Sequence, residues 1–166
     1  MKENYCIFAG GCFWCIAMPF YETKGVIKVL SGYSGGKEIN PTYKQVKAQE
    51  TSHKECIKII YDEEIVSYEE LLDIYFNHID PYDDGGQFID RGESYTTAIF
   101  YKNHEMLKKI KEYILRIERV SNKEVKVKLT EECEFYLAEE YHQEYGLKNP
   151  DAIEKELIES GRKKRV

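Results

Sequence analysis

The stretch YCIFAGGCFWCIAMPFYET, residues 5–23, reads in two halves. Tyr5 to Phe8 is a short apolar run that ends near Gly10-Gly11, which reads as a buried strand feeding a turn. From Cys12 onward the residues continue for helical length, so strand, glycine turn and helix are expected in direct succession. Cys12 falls at the junction, where unpaired backbone N–H groups and the helix dipole favour an anion. A thiol held there is expected to ionise more readily than the ordinary value of about 8.5 allows. Cys15 follows one helical turn later on the same face. The spacing suits a redox pair in which one sulfur attacks and the other resolves the oxidised product, and it equally suits half a zinc site or two small core residues.

Composition narrows the setting. A chain of 166 residues is most simply one domain, here a single catalytic domain over 1–166 with a polar tail from about residue 160. The uncharged run from Asn4 to Tyr21 is too short for a bilayer helix of about 20 residues, and Gly10-Gly11 and Pro19 suit neither a span nor a signal core. Five cysteines at irregular spacing read as thiols of a reducing, cytoplasmic compartment rather than a disulfide framework. Neither a second C-x₂-C nor an H-x₃₋₅-H is present, so no metal site is expected. A net charge of −6 argues against nucleic-acid binding, and the basic GRKKRV end (Arg162, Lys163, Lys164, Arg165) reads as a solvated terminus. Fourteen tyrosines can line a pocket with uncharged hydrogen-bond donors.

Strands and helices alternate along the rest. GVIKVLSGYSGG reads as a strand, KEINPTYKQVKAQETS as a long loop, and HKECIKIIYD as a strand whose alternation points Cys56 away from Glu55. SYEELLDIYFNHI is an amphipathic helix with Ser67 as N-cap and Glu70 completing a capping box. DPYDDGGQFIDRGES is a second polar loop, YTTAIFY a strand, NHEMLKKIKEYILRIERV a helix capped by Asn103, and KEVKVKLT a strand. Beyond these come a short helix ended by Gly146 and another beginning at Pro150. Roughly five strands and four helices are expected, as an open sheet covered by helices on one side.

GCFWC together with GYSGG, NPTY, HKE, SYEELL, NHIDP, GGQFIDRGESYTTAIFY and AEEYHQEYGLKNP resembles, in this block order from Phe8 to about Pro150, the methionine sulfoxide reductase A family. The resemblance implies an α+β fold of the ferredoxin-like two-layer plait type, a mixed sheet with helices packed on it. It implies reduction of the S epimer of methionine sulfoxide, free or in proteins, with Cys12 as nucleophile and a sulfenic acid intermediate. Phe13 and Trp14 match the aromatic wall for the substrate methyl group. Glu55 matches the acid that shares its proton with the sulfoxide oxygen, and Tyr43 and Tyr95 match the phenols that bond the same oxygen. Asp90, His142 and Tyr145 match polar groups around the substrate.

The bare chemistry agrees, because an oxygen leaving sulfur needs an acid and neutral donors, and a carboxyl beside aromatic rings is kept protonated. Many members of the family resolve through cysteines in a C-terminal tail. This chain has none after Cys133, which places it with the GCFWC subgroup and makes Cys15 the candidate resolver. No bound cofactor is implied, only an external thiol reductant: thioredoxin if Cys15 can turn toward Cys12 and resolve, or, if it cannot, glutathione with glutaredoxin or direct thiol attack on a one-cysteine enzyme. The competing reading is a thiol-disulfide oxidoreductase or redox-regulated binding module using the C-x₂-C pair alone, with a zinc-binding module third. Both leave NPTY, HKE and IDRGESY unexplained.

Overall fold

The strand-turn-helix unit forms as β1 (Glu3–Gly10), Gly11, and α1 (Phe13–Ile16) with Cys12 at the N-cap. The computed structural model describes residues 1–163. The single helix expected to follow Cys12 is two short ones, because Pro19 has no N–H with which to continue the first and sits in the opening turn of the second, α2 (Met18–Tyr21).

Next come β2 (Val26–Ser34), α3 (Tyr43–Lys47), β3 (Lys54–Asp62) and α4 (Tyr68–Asn77). A hairpin of β4 (Gly86–Gln87) and β5 (Asp90–Arg91) precedes β6 (Thr97–Tyr101) and α5 (His104–Ser121). The chain continues through β7 (Lys128–Glu131), β8 (Tyr136–Leu137), α6 (Tyr145–Lys148) and α7 (Pro150–Glu159). Six strands form one sheet in the order β7-β6-β1-β3-β2-β8. Every neighbouring pair is antiparallel except β6 and β7, so the sheet is mixed and the fold α+β, as expected.

Several local expectations are corrected. Helix α3 lies inside a segment read as loop, and its signal was the reciprocal capping box of Thr42 and Gln45. Strands β4, β5 and β8 span two residues each, too few for any periodicity to register. The KEVKVKLT strand starts only at Lys128, and Gly146 lies within α6 rather than ending a helix. At α4 the Ser67 hydroxyl accepts the Glu70 N–H at 3.1 Å, but the Glu70 carboxylate returns to that hydroxyl at 3.3 Å instead of to the backbone. No described helix is long and apolar enough to cross a membrane.

One sheet face carries the main core, where Phe8, Phe13, Phe20, Ile57, Leu71 and Tyr75 are buried together. The other face is not bare: Ile7, Ala9, Cys56, Ala98 and Phe100 form a smaller cluster under Tyr5 and Phe135. Cys56 thus faces away from Glu55, as alternation requires. The Tyr75 hydroxyl, buried in the main core, donates to the Ala9 carbonyl at 2.6 Å, which fixes the end of β1 just before the glycine turn.

Gly11 makes that turn at φ 85°, and a Cβ added there would lie 2.8 Å from Gln87 Cβ. Backbone strain and steric overlap combine, so Gly11→Ala is expected to cost about 2–4 kcal/mol in urea unfolding. It should also lower turnover by displacing Cys12; a variant as stable and active as the parent would contradict the role of this turn.

Candidate active site

The site is assembled where α1 leaves the sheet. Cys12 is buried, with 8% of its surface exposed, and its carbonyl accepts the N–H groups of Cys15 and Ile16 at 3.1 Å. That local turn brings Cys15, also buried, to Cys12: their sulfurs lie within 4.8 Å of each other and of a carboxylate oxygen of Glu156 from α7. The thiol of Cys12 does not ionise readily. Hydrogen bonding to the Cys15 side chain, burial, and the charges of Cys15 and Asp90 hold it well above the ordinary thiol value, against a backbone N–H of Cys15 that favours the thiolate. The expected helix-terminus effect is overridden because α1 has only four residues and its Phe13 N–H is spent elsewhere.

It is spent on Glu55. This residue comes from β3, the strand between β1 and β2, and is 1% exposed. Its Oε1 accepts the Phe13 N–H at 3.1 Å, while the buried Oε2 has no partner among the described residues. Burial, then the neighbouring Cys12 and Asp90, raise its carboxyl well above the usual range, with the Phe13 N–H and Lys47 pulling the other way. Glu55 therefore holds a proton that no protein group takes up.

Tyr43, the first residue of α3, and Tyr95, on the single 3₁₀ turn after β5, complete this group. Burial and the nearby Glu55 raise both phenols, so each remains a neutral donor. Asp90, on β5, is half-buried, its Oδ2 is unpartnered, and burial raises its carboxyl. Tyr43 stacks on Phe13, whose N–H is bonded to Glu55 and which follows Cys12 directly, and Glu55, Cys12 and Asp90 raise both phenols as neighbouring charges.

The aromatic residues divide the work expected of them jointly. Phe13 is fully buried and belongs to the core, stacked on Tyr43 at 6.2 Å between centroids. Trp14 is only partly buried, and its face stacks on Tyr145 at 3.9 Å and 13°. The indole N–H donates to His142 Nδ1 at 3.0 Å. Burial lowers the His142 ring below its ordinary value, so it is neutral, with Nδ1 as acceptor and Nε2 carrying the proton. That Nε2 is buried and unpartnered.

Residues that the sequence reading passed over hold this arrangement. Glu139 accepts from the Tyr33 hydroxyl at 2.7 Å and from the Tyr43 N–H at 2.9 Å, pinning α3 to the C-terminal segment. Nothing in AEEYHQEY distinguishes Glu139 from Glu140 beforehand. His53 is structural: its Nδ1 accepts the Gly36 N–H at 3.1 Å. The solvated tail is corrected in part. Arg162 donates to the carbonyls of His78, at 3.1 Å, and Gly10, and its guanidinium lies 4.9 Å over the Phe88 ring. Lys163 pairs with Glu154 at 2.8 Å, and Lys164 and Arg165 lie outside the described residues.

Comparison with known proteins gives a consistent result. The profile of the peptide methionine sulfoxide reductase family matches residues 4–166. The peptide methionine sulfoxide reductase MsrA of Bacillus licheniformis is 45% identical over 163 residues, 97% of this chain and 90% of that protein. Mxr1 from Saccharomyces cerevisiae in reduced form superposes with a TM-score of 0.82 at 27% identity, covering 90% of this chain and 87% of that one. Mxr1 in complex with Trx2 superposes with a TM-score of 0.60 at 16% identity, over 87% of this chain and 85% of that one.

Glu55 leaves a thermodynamic signature. Its folded-state value lies above its unfolded one, so stability is full at low pH and declines as pH climbs above about 4.3 toward the raised value. Glu55→Gln keeps an acceptor for the Phe13 N–H and removes the titration. The variant is expected to outlast the parent in urea at pH 7 and to match it near pH 4; a pH-independent difference would contradict the buried, protonated carboxyl.

Proposed function

This chain belongs to the peptide methionine sulfoxide reductase A family and is a peptide-methionine (S)-S-oxide reductase, and from that premise we propose that Cys12 is its nucleophile and Glu55 its acid. The observation that carries this assignment is the unpartnered, protonated Glu55 Oε2 beside a buried cysteine sulfur. Cys12 Sγ attacks the sulfoxide sulfur while Glu55, with the Tyr43 and Tyr95 hydroxyls, supplies hydrogen to the sulfoxide oxygen. The oxygen passes to Cys12 as a sulfenic acid and methionine leaves, so sulfur at Cys12 is oxidised by two electrons and the substrate sulfur reduced by two. The proton Cys12 gives up restores Glu55. Trp14, stacked on Tyr145, forms the apolar wall against the substrate methyl group; Asp90 and His142 Nε2 line the polar side.

The chain fits the subgroup in which the second cysteine of GCFWC resolves. Cys15 attacks the sulfenic acid, and thioredoxin, or glutathione with glutaredoxin, reopens the disulfide; the Mxr1 complex with Trx2 supports the thioredoxin class. Cys15, not Cys12, lines a groove of about 500 Å³ with Met18, Phe88, Leu157 and Arg162, which marks the side from which a reductant would approach, although Cys15 itself is buried at 3% exposure and α7 must give way for its sulfur to be reached. We also read the strands β6-β1-β3-β2 with their connecting helices as a ferredoxin-like plait, and 1–166 as one catalytic domain. All five cysteines are free thiols, which fits a reducing compartment such as the cytoplasm.

Cys12→Ser should release no methionine. Cys15→Ser should release one methionine per protein molecule and then stop when supplied with thioredoxin, whereas undiminished thioredoxin-driven turnover would remove Cys15 from the cycle. Trp14→Ala should lower kcat/KM by about 10–200-fold, the range for losing an apolar pocket contact.

A further inference from the structure

We propose that Glu156 is the proton-transfer group of the second half-reaction, taking the proton of Cys15 as that thiol attacks the oxidised Cys12. The inference rests on Cys15 being the resolver. Three observations carry it. A Glu156 carboxylate oxygen lies within 4.8 Å of both sulfurs, the only such grouping of three metal-type or acidic side chains among the described residues. The pair sits under α7, where Ile153 is buried against Cys12 and Cys15, and Trp14, Met18 and Leu157 close round them, so bulk water is a poor proton acceptor there. The cations beside Glu156 on the same segment are engaged elsewhere, Lys155 with Glu159 at 3.9 Å and Lys163 with Glu154 at 2.8 Å.

The step is balanced without an outside reagent. The Cys15 sulfur forms a bond to the Cys12 sulfur as the Cys12 S–O bond breaks; the oxygen leaves as hydroxide and becomes water with the proton that Glu156 removed from Cys15. Cys15 is oxidised, Cys12 reduced, and Glu156 ends as it began, a carboxylate. The groups that face it are Cys12 at the N-cap of α1, Cys15 within α1, Asp90 of β5, Glu159 and Arg162 of its own segment, and Lys47 of α3. Burial, Asp90 and Glu159 raise its carboxyl, opposed by Arg162 and Lys47, which brings a general base closer to working pH.

The test is rapid mixing of the full chain with one equivalent of free (S)-methionine sulfoxide, without reductant and with a chelator present. Methionine release, dimedone capture of the sulfenic acid and mass mapping of the disulfide are followed from pH 6 to 9. In Glu156→Gln, the first methionine should be released in full, while disulfide formation at pH 7 slows at least about tenfold, the lower part of the general-base range. Dimedone-reactive Cys12 should accumulate. The deficit should narrow as pH rises toward about 9, where hydroxide increasingly takes the proton in place of the carboxylate, and Glu156→Asp should recover part of the rate. Disulfide formation at the parental rate at pH 7 would overturn the proposal, as would slowing by one constant factor at every pH, which marks a merely structural role. A parental product lacking the Cys12–Cys15 disulfide would instead overturn the resolving role, and the proposal with it.

Discussion

The bond from the Phe13 N–H to Glu55 Oε1 is the contact on which the site depends. It ties the first turn of α1 to the central strand β3, so Cys12 and Glu55 cannot separate without breaking it. One donor does not compensate an ionised carboxylate for the loss of water, because the second oxygen is left bare in a dry setting. The carboxyl responds by keeping its proton. A structural liability in the sheet is thereby a held acid, and stability is given up at a position where chemistry needs an uncompensated group.

Cys12 is not a ready thiolate in the resting protein, first because its thiol is hydrogen-bonded to the Cys15 side chain and buried, and the Phe13–Glu55 bond removes one helix-start N–H that could have offset this. A helix start normally offers its free N–H groups to an anion, but here one is committed to Glu55 and the remaining turn is short. Cys15 and Asp90 beside the sulfur then oppose a negative charge on it. The thiol and the carboxyl thus hold their protons in common, and on the proposed mechanism a sulfoxide oxygen, a strong acceptor, gives the Glu55 proton somewhere to go as Cys12 loses its own. A neutral His142 and neutral phenols surround this exchange with donors that add no competing charge.

Much of this was legible in the sequence because the strong elements follow strong rules. The glycine turn before Cys12, the capped helices after Ser67 and Asn103, and the strand HKECIKIIYD each combine periodicity with a terminal signal. What escaped was short or non-local. Two-residue strands have no period, and α3 hid in a polar loop although Thr42 and Gln45 marked its start. Helix α1 was read correctly as a start and wrongly as an anion trap, since helix length and the partner of one N–H are tertiary facts. Glu139, Glu156 and Arg162 lie far along the chain from Cys12, and only packing gives them a role.

Those three residues show what the C-terminal segment contributes to a chain with no cysteine there. Glu139 fixes Tyr43 from one side, Arg162 caps the carbonyl of Gly10 from the other, and α7 between them lays Ile153 and Leu157 on the cysteine pair. Both sulfurs are covered, and the groove beside α7 runs along the Cys15 side while Cys12 stays on the aromatic side. On the resolving reading, a reductant that attacks Cys15 expels Cys12 into the surroundings that raise its thiol, where it readily regains a proton. On that same reading the segment would do by packing what a cysteine-bearing tail does by reach, shielding a sulfenic acid at Cys12 from bulk solvent and directing the exchange to Cys15.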